Sequence, residues 1–370
     1  MTLKHTALAA LLTTVAAAPA FAGPTYENAS GGTFTFYGHF NLFLQSVDDG
    51  EQTFDRLVDN NALNSRVGFR LSQPLGENTL RFQFETALGL RSSSAFGQGD
   101  SGSNVDWDRT DLRRIDFALD TPKYGTFSFG QGSTAADGAA EVDFSGTDII
   151  GGPAVDDFAG GFAFRTSAGD LSGVTVGSSI IDLDGGRLGR VRYDTPTFGG
   201  FRFAASFGTD ILAENNDREV FDISLRYNND DLGDFRIAGA LAATWDEQTG
   251  REDIQDVIGS LAVEHKPTNV SVALAAGDRD IGGDYAYVKL GYAVNALSVG
   301  ESSFFIDYYD GSDTVTDGDS AESWGIGVVQ DIDKLNLEAY LSYREYSYDD
   351  TSGTDFQDLD VVIAGARWRF

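Results

Sequence analysis

Residues 33–45 read TFTFYGHFNLFLQ, with Phe34, Phe36, Phe40, Leu42 and Leu44 on one parity and Thr33, Thr35, Tyr37, His39, Asn41 and Gln45 on the other. Side chains alternate faces along a strand, so this stretch is a strand with one apolar and one polar face. The period of two recurs to the last residue, where Val362, Ala364, Ala366, Trp368 and Phe370 share a parity and Arg367 and Arg369 stand between them. A chain that ends on an aromatic inside such a strand points to a closed barrel in a membrane, the form in which strands leave no backbone group unpaired in lipid.

Composition supports that reading. With 44 Gly, 7 Pro, 1 Met and 12% aromatic residues, the chain lacks the bias of helical proteins and has the aromatic content that strands and interfacial girdles need. Lys4, the apolar stretch from Ala7 to Ala18 and the Ala20-Phe21-Ala22 site have the form of an export signal over residues 1–22, leaving 23–370 as the folded unit. No window holds the roughly 20 apolar residues of a spanning helix, so a membrane-spanning chain of this kind crosses as strands. The absence of Cys rules out disulfides, thiol catalysis and thiolate metal sites. A formal charge of −31 repels nucleic acid and attracts cations. It is read either as solvated outer loops or as a contribution to ion selection.

Pro74, Pro122, Pro196 and Pro267 lie in the short segments SQPLGEN, DTPKYG, DTPTFGG and HKPTN, and mark strand ends because proline cannot donate to a ladder. Between them lie long polar segments at 48–61, 92–110, 209–218, 309–321 and 347–356. Short turns at one end and long loops at the other is the asymmetry of an outer-membrane barrel. Alternation returns at Phe201, Phe203, Ala205 and Phe207, at Phe221, Ile223, Leu225 and Tyr227, at Ala286, Val288, Leu290 and Tyr292, and at Leu335, Leu337, Ala339, Leu341 and Tyr343. The stretch from Ser133 to Arg187 breaks the rhythm. It holds a helix-compatible run, TAADGAAEVDF, and enough Phe, Ile and Val to pack against the inside of a barrel.

SRVGFR at 65–70, GTFSFGQGS at 125–133, RVRYDTPTFGGF at 190–201 and the terminal Phe370 together resemble the general diffusion porins of Gram-negative bacteria, over essentially the whole mature chain. The resemblance implies an all-β, transmembrane antiparallel β-barrel of 16 strands, commonly a homotrimer in outer-membrane lipid, whose long third outer loop folds into the lumen. That loop maps to 132–187. If GFAFRTS and VTVGSSIIDL formed an extra hairpin in the wall, the count would be 18. Phe370 and Trp368 look like the signal read by the barrel-assembly machinery.

The family's constriction sets wall arginines against loop acids. Carried onto this chain, the wall set is Arg66, Arg70, Arg81, Arg91 and Arg114, on the inward parity of three neighbouring strands, with Arg66 and Arg114 near mid-height. The loop set is Asp137, Glu141, Asp143, Asp148, Asp156 and Asp157. The alternative is that these arginines only balance Glu85, Asp116 and Asp120 along the wall. Separated charges across a narrow aqueous opening make a transverse field that biases ions and dipolar solutes. Counting acids against bases gives a weakly cation-selective, passive channel for small hydrophilic solutes and ions, without cofactor or metal.

Three other readings compete. Inward Tyr37, Tyr285, Tyr287, Tyr309, Tyr340 and Tyr346 would suit a sugar-specific track. A plugged lumen would make a structural or receptor barrel. A barrel hydrolase needs a nucleophile and base, yet the mature chain has only His39 and His265, which suggest no Ser-His-acid arrangement, so no enzyme is expected. Asp clusters at 307–319 and 349–360 lack the spacing of a calcium loop and read as solvated loops.

Overall fold

A computed structural model describes residues 23–214 and 216–370, so the expected export signal over residues 1–22 lies outside the described residues. Alternating segments become long antiparallel strands. In chain order these are β1 (Thr33–Asp48), β2 in two pieces (Thr53–Asp59 and Arg66–Leu75), β3 (Asn78–Ala87), β4 (Leu112–Thr121), β5 (Gly125–Ser133) and β6 (Arg187–Asp194). They continue as β7 (Phe201–Thr209), β8 (Glu219–Leu232), β9 (Phe235–Glu247), β10 (Ile254–His265), β11 (Val270–Arg279), β12 (Asp284–Leu297), β13 (Gly300–Ser312), β14 (Ser320–Ile332), β15 (Leu337–Asp349) and β16 (Leu359–Arg369).

The sheet contains 18 strand segments. Two of them are the halves of β2, and Thr25–Glu27 pairs with Thr33–Thr35 of β1 just beyond the end of β16, which leaves 16 crossings. β16 pairs with β1 from His39↔Arg369 to Asp48↔Asp360. The two ends of the sheet are thereby joined, and no open edge is exposed to lipid.

Side chains sort by parity as the alternation demands. Phe34, Phe36, Phe40 and Leu44 face outward and are exposed, whereas Asn41, Phe43, Gln45 and Val47 of the same strand are buried inside. Outward aromatics stack across neighbouring strands, among them Phe34 on Phe69 (5.4 Å between centroids), Phe82 on Phe117 (4.7 Å) and Phe117 on Phe129 (5.3 Å). The second piece of β2 and strands β3 to β6 have 8 to 10 residues, against 10 to 14 from β8 to β15. About 9–11 tilted residues suffice to span a bilayer, so this Phe-rich wall is just tall enough and the opposite wall projects past it.

Residues 134–186 lie between β5 and β6 and fold inward. GFAFRTS and the segment after it do form a hairpin (Ala163–Thr166 with Leu171–Thr175), but it stays out of the barrel wall and pairs instead with Phe356–Gln357 of the last outer loop. The barrel count is therefore 16, and the 18-strand alternative fails. The run TAADGAAEVDF is not helical; the loop's only α-helical turn is Val176–Ser179. Ile149, Ile150, Val155, Phe162, Phe164 and Val176 of the loop are fully buried and join wall residues Phe43, Val47, Ile258, Tyr309 and Tyr346 in one apolar core inside the barrel. Each such burial contributes about 1.5–3 kcal/mol, against at most about 1 kcal/mol for an exposed ion pair, so apolar packing is the main hold on the loop.

Candidate functional site

Around most of the circumference, wall side chains reach the inner loop through its backbone. Arg192 of β6 donates to Thr134 O. Arg226 of β8 donates to Gly138 O (2.9 Å) and Asp137 O (2.7 Å), and Ser260 of β10 to Ala139 O (2.6 Å). Lys289 of β12 donates to Gly151 O (2.8 Å), and Tyr309 of β13 donates to Ile181 O (2.7 Å) and accepts from Ile181 N (3.0 Å). Tyr346 of β15 and Gln45 of β1 donate to Val155 O and Phe158 O. These bonds satisfy loop carbonyls that the apolar core would otherwise leave unpaired at about 1–3 kcal/mol each.

The loop's outer hairpin is fixed to other loops. Arg165 and Asp49 form a buried ion pair (2.8 Å), and Gln98 bridges Asp49 (3.1 Å) and Ala163 O (2.8 Å). Backbones touch at Gly97 and Gly161, where a Cβ on Gly97 would sit 2.0 Å from Gly161 O. Only glycine permits that approach.

A cavity of about 240 Å³ remains between loop and wall. Arg66 of β2, Arg113 of β4 and Arg187 of β6 line its wall side; Asp137, Glu141, Asp143, Asp148 and Asp157 line its loop side. Ala62 and Leu63 also face it, because β2 is interrupted at residues 60–65 and that turn reaches the loop through Asn60 Nδ2 to Ile149 O (2.8 Å).

The predicted arginines separate. Arg66 lies in the cavity, 3.6 Å from Glu85 and donating to Asn64 O (2.8 Å). Arg114 is at the loop's root, donating to Ser133 Oγ (2.6 Å), and its neighbour Arg113 lines the cavity, held by Glu85 (2.8 Å). A bulge between the Glu85 and Thr86 pairings inserts the extra residue that turns both arginines inward. Arg70 stacks on Tyr37 (4.1 Å), and Arg81 pairs with Asp120 (2.5 Å) toward the short-turn end. Arg91 is not on a strand: β3 ends at Ala87, and Arg91 pairs with Asp100 (2.5 Å) in the second outer loop. Of the loop acids, Asp156 alone does not line the cavity.

Arg113, Arg187 and Lys289 were missed. Lys289 was legible as a lone cation on the inward parity of β12. Arg187 was not, since it shares the parity of outward Val191 and turns inward only because it is the first residue after the returning loop. The tyrosines do not form an open track: Tyr285, Tyr287, Tyr309, Tyr340 and Tyr346 are buried, and Tyr309 and Tyr346 are engaged with the loop backbone. His39 Nε2 lies against Asn64 O (2.8 Å) and His265 Nδ1 against Thr268 Oγ1 (2.8 Å), with no serine on either ring nitrogen.

The loop acids differ sharply. Burial pushes the Asp143 carboxyl up, but the Lys289 ammonium at 2.7 Å more than reverses this and leaves it below the ordinary carboxylate range. Among the described residues no basic group lies within 4 Å of Asp137, Glu141, Asp148, Asp156, Asp157, Asp182 or Asp184. Burial, reinforced by neighbouring carboxylates, pushes Glu141 up to about 8 and Asp156 and Asp184 up to about 7. Asp157 and Asp182 are raised for the same cause, burial first.

Comparison with known proteins gives a consistent answer. No curated protein sequence matches the chain. Among solved structures it is similar to an anion-selective porin from Comamonas acidovorans, at 18% identity and a TM-score of 0.61, covering 92% of this chain and 100% of that one. It is also similar to the trimer form of in-vitro folded OmpT from Vibrio cholerae (15%, TM-score 0.54, covering 92% and 99%) and to Salmonella typhi OmpF in complex with daunomycin (12%, TM-score 0.57, covering 94% and 100%). At these identities the likeness concerns the fold. The model of the Gram-negative porin family matches residues 7–351, and the chain belongs to that family.

Proposed function

We propose that this outer-membrane porin is a passive general channel for small hydrophilic solutes and ions, weakly cation-selective and without covalent chemistry. The observation that carries the reading is the cavity itself, bounded by Arg66, Arg113 and Arg187 on one side and by loop carboxylates on the other. Arg66 and Arg113 share Glu85, and Asp143 is matched by Lys289, so the cavity keeps the charge of about two arginines against four further acids, Asp137, Glu141, Asp148 and Asp157. When those acids are ionised they outnumber the bases, which favours cations. The anion-selective relative shares the fold at an identity too low to carry the charge of the opening.

The working unit in this reading is a homotrimer embedded in outer-membrane lipid and joined through the lower, Phe-rich wall of β2–β5. The chain reaches that membrane by a cleaved export signal and is inserted by the barrel-assembly machinery through its terminal Trp368 and Phe370. Single-channel recording of the refolded mature chain under a salt gradient tests this. Current steps that close in threes, with a reversal potential of cationic sign, are expected. A folded barrel that conducts no ions would overturn the channel reading.

A further inference from the structure

β2 does not run unbroken beside β1. Its two pieces pair with β1 at Asp59↔Leu42 and at Arg66↔His39, so β1 passes the break with two residues, Phe40 and Asn41, while β2 spends six, 60–65. An ordinary bulge adds one residue to one strand, and six against two leaves four to place. They go to the lumen side, where Ala62 and Leu63 line the cavity and pack against the apolar core.

The turn is braced from both strands. Asn41, Asp59, Asn60 and Ser65 are all buried. Asp59 accepts from Ser65 N (2.9 Å) and Ser65 Oγ (2.5 Å), while Asn41 donates from its backbone to Ser65 Oγ (2.8 Å) and from Nδ2 to Leu63 O (2.7 Å). Tyr340 of β15 donates in turn to Asn41 Oδ1 (2.7 Å). Toward the inner loop, Asn60 Nδ2 donates to Ile149 O (2.8 Å) and Asn61 Nδ2 to Asp157 Oδ1 (2.5 Å). Shifting the turn would leave these groups buried and unpaired, so it is a rigid ledge.

The turn's chemistry is as telling as its position. Between Asp59 and Arg66 it carries no ionisable side chain, so its effect on the opening is steric. The bond at Leu63 uses the carbonyl, which leaves the side chain out of the bracing. That side chain shares the cavity with Pro153, Ala154 and Phe158 of the loop, an apolar sector between the arginines and the carboxylates.

We propose that the 60–65 turn is a second constriction element, carried by the wall itself, and that Leu63 is a specificity-determining residue that sets the pore's size limit for uncharged solutes. The inference rests on the channel reading and goes beyond it. Arginines and carboxylates bias ions by charge, whereas the ledge sorts solutes by bulk.

The chain has no Cys, so Leu63→Cys in the refolded mature chain offers a single thiol to neutral methanethiosulfonate reagents of increasing size. Labelling should cut single-channel conductance stepwise with reagent size while the reversal potential under a salt gradient stays fixed. Leu57→Cys is the matched control on the outward face, where Leu57 is 62% exposed, and labelling there should cost no conductance. In liposome swelling, Leu63→Ala should raise the entry rate of a disaccharide relative to a monosaccharide, and Leu63→Trp should lower it. Unchanged conductance at a Leu63→Cys thiol shown by mass to be labelled overturns the proposal, as does a thiol that the smallest reagent cannot reach. Sugar ratios equal to wild type in both variants also overturn it, and each of these results leaves the channel reading intact. A folded wild-type barrel that passes neither ions nor sugars overturns the channel reading itself. If Leu63→Trp fails to assemble, Leu63→Ala and the thiol variant decide.

Discussion

Lys289 and Asp143 face each other at 2.7 Å beneath the inner loop, the lysine 2% and the aspartate 13% exposed. The pair joins the loop to β12, six strands around the barrel from the loop's root at β6. Lys289→Met should strand a buried carboxylate and weaken the loop's seat by about 3–5 kcal/mol. Single-channel recordings should show more frequent brief closures and greater open-state noise, and adding Asp143→Asn should restore quiet openings. Unchanged noise in the single variant would mean the pair does not hold the loop.

Arg66 and Arg113 share the carboxylate of Glu85. Neutralising both to Gln should raise conductance and shift selectivity toward cations, at a stability cost because Glu85 is left buried without a cation. Adding Glu85→Gln should recover the stability and return part of the selectivity, as read by thermal loss of heat-modifiable mobility and by reversal potential. Arg81→Gln, at an exposed pair with Asp120, should change stability by less than about 1 kcal/mol and leave selectivity alone.

The hairpin at Ala163–Thr175 is held by strand pairing to the last outer loop and by the Arg165–Asp49 pair. Replacing it with a short Gly-Ser linker should leave the barrel folded and increase single-channel conductance by opening the mouth. Equal conductance would show that the resistance lies wholly deeper, at the cavity.

The inner loop should loosen at alkaline pH. Its raised carboxyls bind protons in the folded loop that a released loop would give up, so their contribution is full below about pH 4 and falls as pH rises through about 7 to 8. Protease cleavage within residues 134–186 should therefore be faster at about pH 9 than at about pH 6, with the strands protected at both.

Phe370 exchanges backbone bonds with Gly38 (3.0 Å each way) and stacks against Phe36 (5.8 Å) and Trp368 (5.4 Å). Phe370→Ser should lower the yield of assembled barrel in cells while the assembled fraction conducts normally. A normal yield would remove it as an assembly signal.

The barrel was legible in the sequence because alternation at Phe34, Phe36 and Phe40, or at Val362, Ala364 and Trp368, is a local property that closure does not change. The site was less so, because its residues depart from local regularity. Parity assigns Arg114 inward and cannot see the bulge that also admits Arg113. It carries Arg91 onto a strand that has already ended. The inner loop's route was hidden for a different reason: TAADGAAEVDF has helical composition, but bonds from Arg192, Arg226 and Ser260 to its carbonyls draw it out along the wall. Those partners lie about 60 to 120 residues away in the chain.

Because the wall holds the inner loop by apolar packing and by bonds to its carbonyls, most of the loop's polar side chains are not needed to keep its course. The scaffold is thus indifferent to much of what the loop displays. Glu141 or Asp137 could be exchanged for neutral or basic residues while the chain kept the same path, so filter chemistry can be rewritten, by selection or by design, independently of the architecture that carries it.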